Sequence, residues 1–334
     1  MGGGHRVLIT GISTPLGGQL ARRLEADPDV DYLAGVDSMP PPASLGRTEF
    51  VEADIRDPAL AELLPGLRVD TVVHNNILRR PRRGMSPQTA HDINVLGTLQ
   101  LLTACERLGT LRAIVVRGSA GIYGSEPAAP QFFTEEMSRL YPQRTRFQRD
   151  VGEIENYFAG YARRRPAVTC TMLRYQPAIG PSLDTQVTRY LASPVVPTYL
   201  GFDPRLQFVH QTDGLEALVA AVRRPVRGAV NVASEGTIGL TKLVRMARRP
   251  TLPLPASLFA PTVEAGRRAG LPMLSPDFRR LLRYGRAVDL TRLVKEVGFR
   301  PRFTTEAAVA DYLRARREAA PTTSGDRANE PPAA

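Results

Sequence analysis

The sequence predicts an α/β fold, a doubly wound parallel sheet followed by a smaller, irregular C-terminal lobe. Three observations carry this. Short β-branched runs alternate with longer amphipathic stretches over the first 180 residues. A glycine loop joins the first run to the first amphipathic stretch. After Gly180 the alternation breaks down into Pro-rich pieces. Repeated β-α-β implies parallel strands covered by helices on both faces, with right-handed crossovers. At 334 residues the chain also exceeds one core of ordinary size.

Residues 6–10 form an apolar strand, and 15–26 a helix with Leu16, Leu20 and Leu24 on one face. Strands at 32–37 and 49–52 follow, then a short helix at 59–64 and a strand at 71–74. A long helix spans 88–107, a strand 112–118, a helix 144–164 and a strand 169–175. Beyond Gly180, proline clusters at 193–197 and 250–255 separate short helices from isolated strands near 207–210 and 229–232. The division expected is a sheet domain over 1–178, a substrate lobe over 179–317 and a disordered tail over 318–334. The strand near 207–210 is expected to return to the sheet.

Composition excludes several classes. No apolar run reaches the roughly 18 residues that span a bilayer, and the N-terminus has no secretory pattern, so a cytoplasmic protein is expected. Cys105 and Cys170 are far apart and flanked by apolar residues, which points to buried thiols and not to a disulfide or metal cluster. The formal net charge is +11, yet 42 of the 44 basic residues are Arg, in short scattered clusters without interleaved aromatics. That pattern argues against a nucleic-acid footprint, which is kept only as the least favoured reading.

The first strand ends in Thr10-Gly11 and the next helix opens at Pro15-Leu16-Gly17. Gly11 permits the tight turn, Gly17 lets helix and sheet approach, and the helix N-terminus offers N–H groups to a pyrophosphate. Ser13, Thr14 and Leu16 complete the loop. Thr14 occupies the place of a middle glycine, so the approach of phosphates is expected to be looser than usual. Asp37 ends the second strand 26 residues after Gly11, where a carboxylate accepts ribose hydroxyls and repels a 2′-phosphate. NAD is therefore expected over NADP.

These residues carry a family resemblance over nearly the whole chain. Gly11 with Gly17, Asp54-Ile55-Arg56-Asp57, Asn94-Val-Leu-Gly97-Thr98, Gly118-Ser119-Ala-Gly-Ile-Tyr123-Gly124, Leu173-Arg174-Tyr175 and Phe208-Val209-His210 with Asp213 occur in order. Together they resemble the extended short-chain dehydrogenase/reductases, in particular the NAD-dependent epimerase/dehydratase group that includes UDP-glucose 4-epimerase. The resemblance implies a Rossmann-type sheet domain, NAD as cofactor, a nucleotide sugar or related small molecule as partner, and Ser119 as a catalytic serine. It implies cofactor contacts at Asp54, Ile55, Asn94 and Tyr175, and a homodimer joined through the helices flanking the fifth strand; Asn75, where the pattern departs, is expected either to contact the nicotinamide ribose or to pair with backbone in a tight loop.

One departure bears on function. The group uses a Tyr, a Lys four residues later, and a Glu eight residues after the Tyr. Anchoring on Glu155 puts Phe147 at the tyrosine position and Val151 at the lysine position, and no lysine precedes Lys242. Phe147, Val151, Ile154 and Phe158 equally form one apolar stripe that packs on the sheet. The expected function is an NAD(H)-binding, epimerase/dehydratase-like protein without the dyad, acting in binding or sensing or as a slow oxidoreductase. The alternative is an active UDP-sugar 4-epimerase or dehydratase with a substitute base such as Asp150 or Tyr141. His74-Asn75-Asn76 and Pro177 also depart from the group's pattern, and the basic stretch Arg79, Arg80, Arg82 and Arg83 suits a diphosphate or a solvated loop.

Overall fold

The computed structural model describes residues 4–78, 84–268 and 271–319. Arg79, Arg80, Arg82 and Arg83, and the tail from 320 onward, lie outside the described residues. The N-terminal half runs β1 (His5–Thr10), α1 (Pro15–Glu25), β2 (Val30–Asp37), β3 (Glu49–Glu52), α2 (Leu60–Leu67) and β4 (Thr71–His74). It continues with α3 (Pro87–Glu106), β5 (Ala113–Ser119), α4 (Arg146–Arg164) and β6 (Thr169–Tyr175). Then come β7 (Ala178–Ile179), α5 (Gln186–Ala192), β8 (Val196–Tyr199), β9 (Arg205–Leu206), β10 (Val209–His210), α6 (Gln211–Arg223) and β11 (Gly228–Val232). The chain closes with β12 (Ile238–Gly239), α7 (Leu240–Met246), β13 (Thr251–Leu254), α8 (Ala256–Arg268), α9 (Pro276–Tyr284) and α10 (Thr305–Glu318).

Seven parallel strands form the central sheet in the order β11-β6-β5-β4-β1-β2-β3. The strand order reverses between β1 and β4, the kind of switch point at which open α/β sheets take ligands beyond the carboxyl ends of their strands. Alternation along β5 divides the two layers. Ile114 and Val116 join Leu101, Leu102, Ile154 and Phe158 from α3 and α4. Val115 faces the other way with Leu20 and Leu24 of α1 and Ala217 and Leu218 of α6. Both cysteines are buried as free thiols. A third core, built on Tyr190, Phe208, Phe259, Phe278 and Leu281, holds the lobe. Among the described residues no helix is long and apolar enough to cross a membrane.

The strand near 207–210 does not return to the sheet. Val209–His210 pairs with β7 in a separate two-stranded ladder, because α6 starts at Gln211 and leaves only two residues for pairing. The segment that does return is β11, in register with β6 from Gly228↔Thr171 to Val232↔Tyr175. It covers an edge of β6 that would otherwise present unpaired backbone. With it comes α6, tied to α1 by Arg23–Glu216 at 2.9 Å and to the α1–β2 turn by Arg223–Asp27 at 2.6 Å.

His74 is fully enclosed where β1, β4 and α3 meet. Its Nδ1 hydrogen-bonds Thr10 Oγ1 at 2.8 Å and its Nε2 hydrogen-bonds Thr98 Oγ1 at 2.9 Å. Burial lowers its pKa to about 4 from 6.5. The unfolded chain therefore takes up this proton before the native state does. The stabilisation is whole above pH 6.5 and is lost as pH falls towards 4, by about 3 kcal/mol for a shift of that size. Urea unfolding across this range should show that slope, and His74→Gln should flatten it; an identical slope in the variant would clear His74 of the effect.

Candidate functional site

The loop between β1 and α1 is built by close approach. Gly11 has φ +70°, and a Cβ on Gly17 would lie 2.2 Å from the Gly11 carbonyl oxygen, so only glycine fits there. Thr14 is the N-cap of α1: its hydroxyl accepts from Gly17 N at 3.1 Å and donates to Gly11 O at 2.7 Å. Its side chain closes the turn, and Pro15 sits at the first helical position where no donor is lost. Leu16 is half-buried against the α1–α6 layer.

Asp37 is buried at the end of β2. Its Oδ2 accepts from Ser13 N at 3.1 Å and its Oδ1 from Ser38 N at 2.9 Å. A carboxylate retains further lone pairs after two such bonds. The Ser13 hydroxyl donates to the Met39 carbonyl. Asn75, at the exit of β4, donates from Nδ2 to Thr14 Oγ1 at 3.0 Å, while its Oδ1 is buried without a partner. Gly11, Thr14, Asp37 and Asn75 therefore gather at the carboxyl ends of β1, β2 and β4.

Other expected contacts have structural partners. Asn94 clamps the chain after β4, accepting from Leu78 N at 2.7 Å and donating to Leu78 O at 2.9 Å. The Asp54 carboxylate takes a bidentate bond from Arg56, which holds its pKa below the usual range. Ile55 packs its side chain over Gly97, where a Cβ would approach to 2.7 Å. Tyr175 donates its hydroxyl to Gly214 O at 2.8 Å, and burial raises its pKa.

Ser119 ends β5 and caps the single turn Ala120–Tyr123, its Oγ accepting from Gly121 N at 3.1 Å. A Cβ placed on Gly121 would lie 3.0 Å from the Phe147 ring and 3.1 Å from Ser119 Oγ, so ring and hydroxyl flank one point. Val151 is 1% exposed, in an apolar cluster with Ala120, Ile122, Tyr123 and Phe133. Asp150 faces α3, its Oδ1 2.8 Å from His91 Nδ1, and Tyr141 donates its hydroxyl to Ala128 O at 2.5 Å.

The sequence reading missed the lobe's contribution. Arg286, 2% exposed, donates to Gly124 O and Gln176 Oε1, with its Nη2 unpartnered, and the neighbouring Ser125 Oγ is also buried without a partner. Arg280 pairs with Glu126 at 2.6 Å, and Arg283 lies 5.0 Å from the ring centroids of both Phe202 and Tyr284. The run Arg279-Arg280-Leu-Leu-Arg283-Tyr-Gly-Arg286 was the available signal, since two of these arginines fall on one helix face. A separate cavity of about 590 Å³ lies against α4, lined by Arg139, Gln143, Arg149 and Asn156 over the Glu155–Arg174 pair. None of Gly11, Thr14, Asp37 and Asn75 lines it.

Residues 7–233 match the NAD dependent epimerase/dehydratase family. An uncharacterised protein of Mycobacterium tuberculosis is 37% identical over 316 residues, 93% of this chain and 84% of its own length. UDP-glucose 4-epimerase of Mycolicibacterium smegmatis is 28% identical over 132 residues, 37% of this chain and 42% of its own. Among solved structures, dTDP-glucose 4,6-dehydratase from Bacillus anthracis in complex with NAD superposes with TM-score 0.69 at 16% identity, covering 95% of this chain and 97% of that one. UDP-glucose 4-epimerase from Thermotoga maritima with UDP-glucose gives 0.69 at 18% identity, covering 94% and 99%.

Arg174, 4% exposed, is neutralised by Glu155 through Nε at 2.8 Å and Nη2 at 2.7 Å. Removing one partner of a buried pair typically costs about 3–5 kcal/mol. Glu155→Ala should lose stability on this scale in chemical denaturation; a change below about 1 kcal/mol would mean that the remaining acceptors, Tyr123 and the Glu135 carbonyl, suffice.

Proposed function

The chain belongs to the NAD dependent epimerase/dehydratase family, and from that membership we propose that it holds NAD across the β1–β4 crevice and a nucleotide sugar on the lobe side, as a binding or sensing protein with little turnover. Four features support the cofactor site. Gly11 and Gly17 keep the loop free of Cβ atoms, α1 presents its N-terminus, Asp37 keeps acceptor capacity for ribose hydroxyls, and Asn75 Oδ1 awaits a donor. Bound NAD would supply a hydride acceptor. The unsatisfied Ser125 and Arg286 and the Arg283–aromatic cluster offer the hydrogen-bonding and stacking chemistry that a nucleoside diphosphate needs.

The observation that carries the reading is the Phe147 ring beside Ser119 across Gly121, with Val151 one turn on in an apolar cluster. Hydride removal from the carbon of a sugar's secondary alcohol needs a base for the hydroxyl proton. A phenylalanine carries no proton, and a valine supplies no charge to lower a neighbour's pKa. The chain's lysines stand elsewhere: Lys242 ion-pairs with Glu306 at 2.6 Å in the lobe, and Lys295 lies in the turn Leu293–Val297. Ser119 can orient a hydroxyl but is a poor base alone. Loss of general acid–base catalysis costs roughly 10²- to 10⁴-fold. The rival reading, an active enzyme with a substitute base, finds Asp150 held by His91 and Tyr141 donating to a backbone carbonyl.

Thermal shift should show greater stabilisation by NAD than by NADP, and Asp37→Ala should abolish that preference; a preference that survives the substitution would remove Asp37 from the site. The same protein incubated with NAD and UDP-glucose should form negligible UDP-galactose. Phe147→Tyr combined with Val151→Lys should raise any trace rate, whereas Phe147→Tyr alone should not, since an unassisted phenol stays protonated at pH 7. Robust wild-type turnover that persists in Ser119→Ala would replace this reading with the substitute-base enzyme.

A further inference from the structure

The cavity of about 590 Å³ against α4 takes no part in the site described above, and its size is that of cavities that hold small organic ligands. Its floor is the Glu155–Arg174 pair, and its walls come from α4 and from the segment 138–143 that precedes it. All three nitrogens of Arg174 are engaged by the chain. Glu155 accepts from Nε and Nη2, and the Tyr123 hydroxyl and the Glu135 carbonyl accept from Nη1. The floor is therefore a neutral pair.

The walls are not neutral. Arg139 and Arg149 line the same cavity, and the one carboxylate that lines it is Glu155, which Arg174 already holds. Arg139 donates from Nη2 to Asn156 Oδ1 at 2.6 Å. Among the described residues the Arg149 guanidinium makes no ion pair or hydrogen bond, and Glu153, one turn along α4, does not close on it. The acceptors of the cavity are thus taken, while its charged donors are left over. Gly152 adds to this. A glycine inside a helix is disfavoured relative to alanine, yet a Cβ here would overlap the Gln143 amide. Its absence lets that amide lie on α4 at the cavity wall, where it offers a further donor. Tyr141, Pro142 and Ala159 put apolar surface beside these groups.

We propose that this cavity binds a small phosphate monoester of sugar-phosphate size, with Arg139 and Arg149 as its charge partners. The proposal goes beyond the NAD reading and does not depend on it. Two cations without carboxylates of their own match a dianion. A phosphate monoester carries nearly two negative charges at pH 7 and offers three acceptor oxygens, which suit guanidinium forks. The apolar wall takes the body of the ester, which inorganic phosphate lacks. A dicarboxylate carries the same charge at two separate ends and is the rival ligand.

Isothermal titration calorimetry of the full chain with glucose 6-phosphate and with ribose 5-phosphate should show one site, filled at least tenfold more tightly than by inorganic phosphate or malate. Arg139→Gln and Arg149→Gln should each weaken ester binding about tenfold, the effect of losing one charge-assisted hydrogen bond. Ala159→Phe, which fills the cavity without changing its charge, should abolish binding. All three side chains are exposed, so these variants keep the fold. Absence of binding by both esters, equal or tighter binding of inorganic phosphate or malate, or ester affinity that survives Ala159→Phe or both arginine variants would overturn the proposal and leave the NAD reading untouched.

Discussion

The buried Arg174 guanidinium is neutralised by an ion pair with Glu155, and that pair sets the geometry around Ser119. Glu155 of α4 takes two of its donors, the Tyr123 hydroxyl a third at 2.9 Å, and the Glu135 carbonyl also accepts from it. Tyr123 passes the bond on to Asn231 of β11, whose N–H donates to Glu135 Oε1. Burial pushes the Tyr123 phenol up to about 12, which keeps it a neutral donor. One network thus joins α4, the turn after β5, β6 and β11. Once Glu155 points at β6, helical periodicity places Val151 and Phe147, four and eight residues earlier, on the same face against that turn. The rotation of α4 follows from the ion pair.

The sheet domain was legible because its inner strands are buried on both faces and read as continuous apolar runs. The strands at 49–52, 71–74 and 169–175 have the bounds that the pattern indicates, and the helices differ only at their ends. Helix ends are set by caps that periodicity does not register. Thr145 with Gln148 forms a capping box that starts α4 at Arg146, two residues beyond the expected beginning. The lobe was harder. A strand at 207–210 looked long enough to join the sheet, but His210 caps α6 and ends the pairing after two residues. Nothing local to 228–232 says that this strand will lie beside β6, because parallel pairing at that distance is decided by the whole topology.

The candidate site divides in the same way. Gly11, Gly17 and Asp37 were readable because backbone approach and a strand-end carboxylate impose residue types at fixed spacings. Asn94 and Ile55 match the same motifs, and their side chains also serve the scaffold, one clamping Leu78 and the other filling the space over Gly97. A motif records that a position matters, not whether it acts on a ligand or on the loop beside it. Ser125 and Arg286 carried no motif. They emerge only as polar atoms that the folded chain leaves unsatisfied, and such atoms are few in a well-packed protein.

These unsatisfied groups contrast with the seam under Phe147 and Val151, where apolar contact is continuous with Ala120, Ile122, Tyr123 and Phe133. An ammonium at position 151 would have to be desolvated among these side chains, and only a bound ligand or a partner anion could offset that. Apolar residues there stabilise the α4 seam whether or not a cofactor is present. The polar cost of the fold is thereby moved from the seam where proton transfer would occur to the β4 exit and the lobe, where the proposed ligands would lie. That arrangement is the physical basis of the proposal that the protein binds its ligands with little turnover.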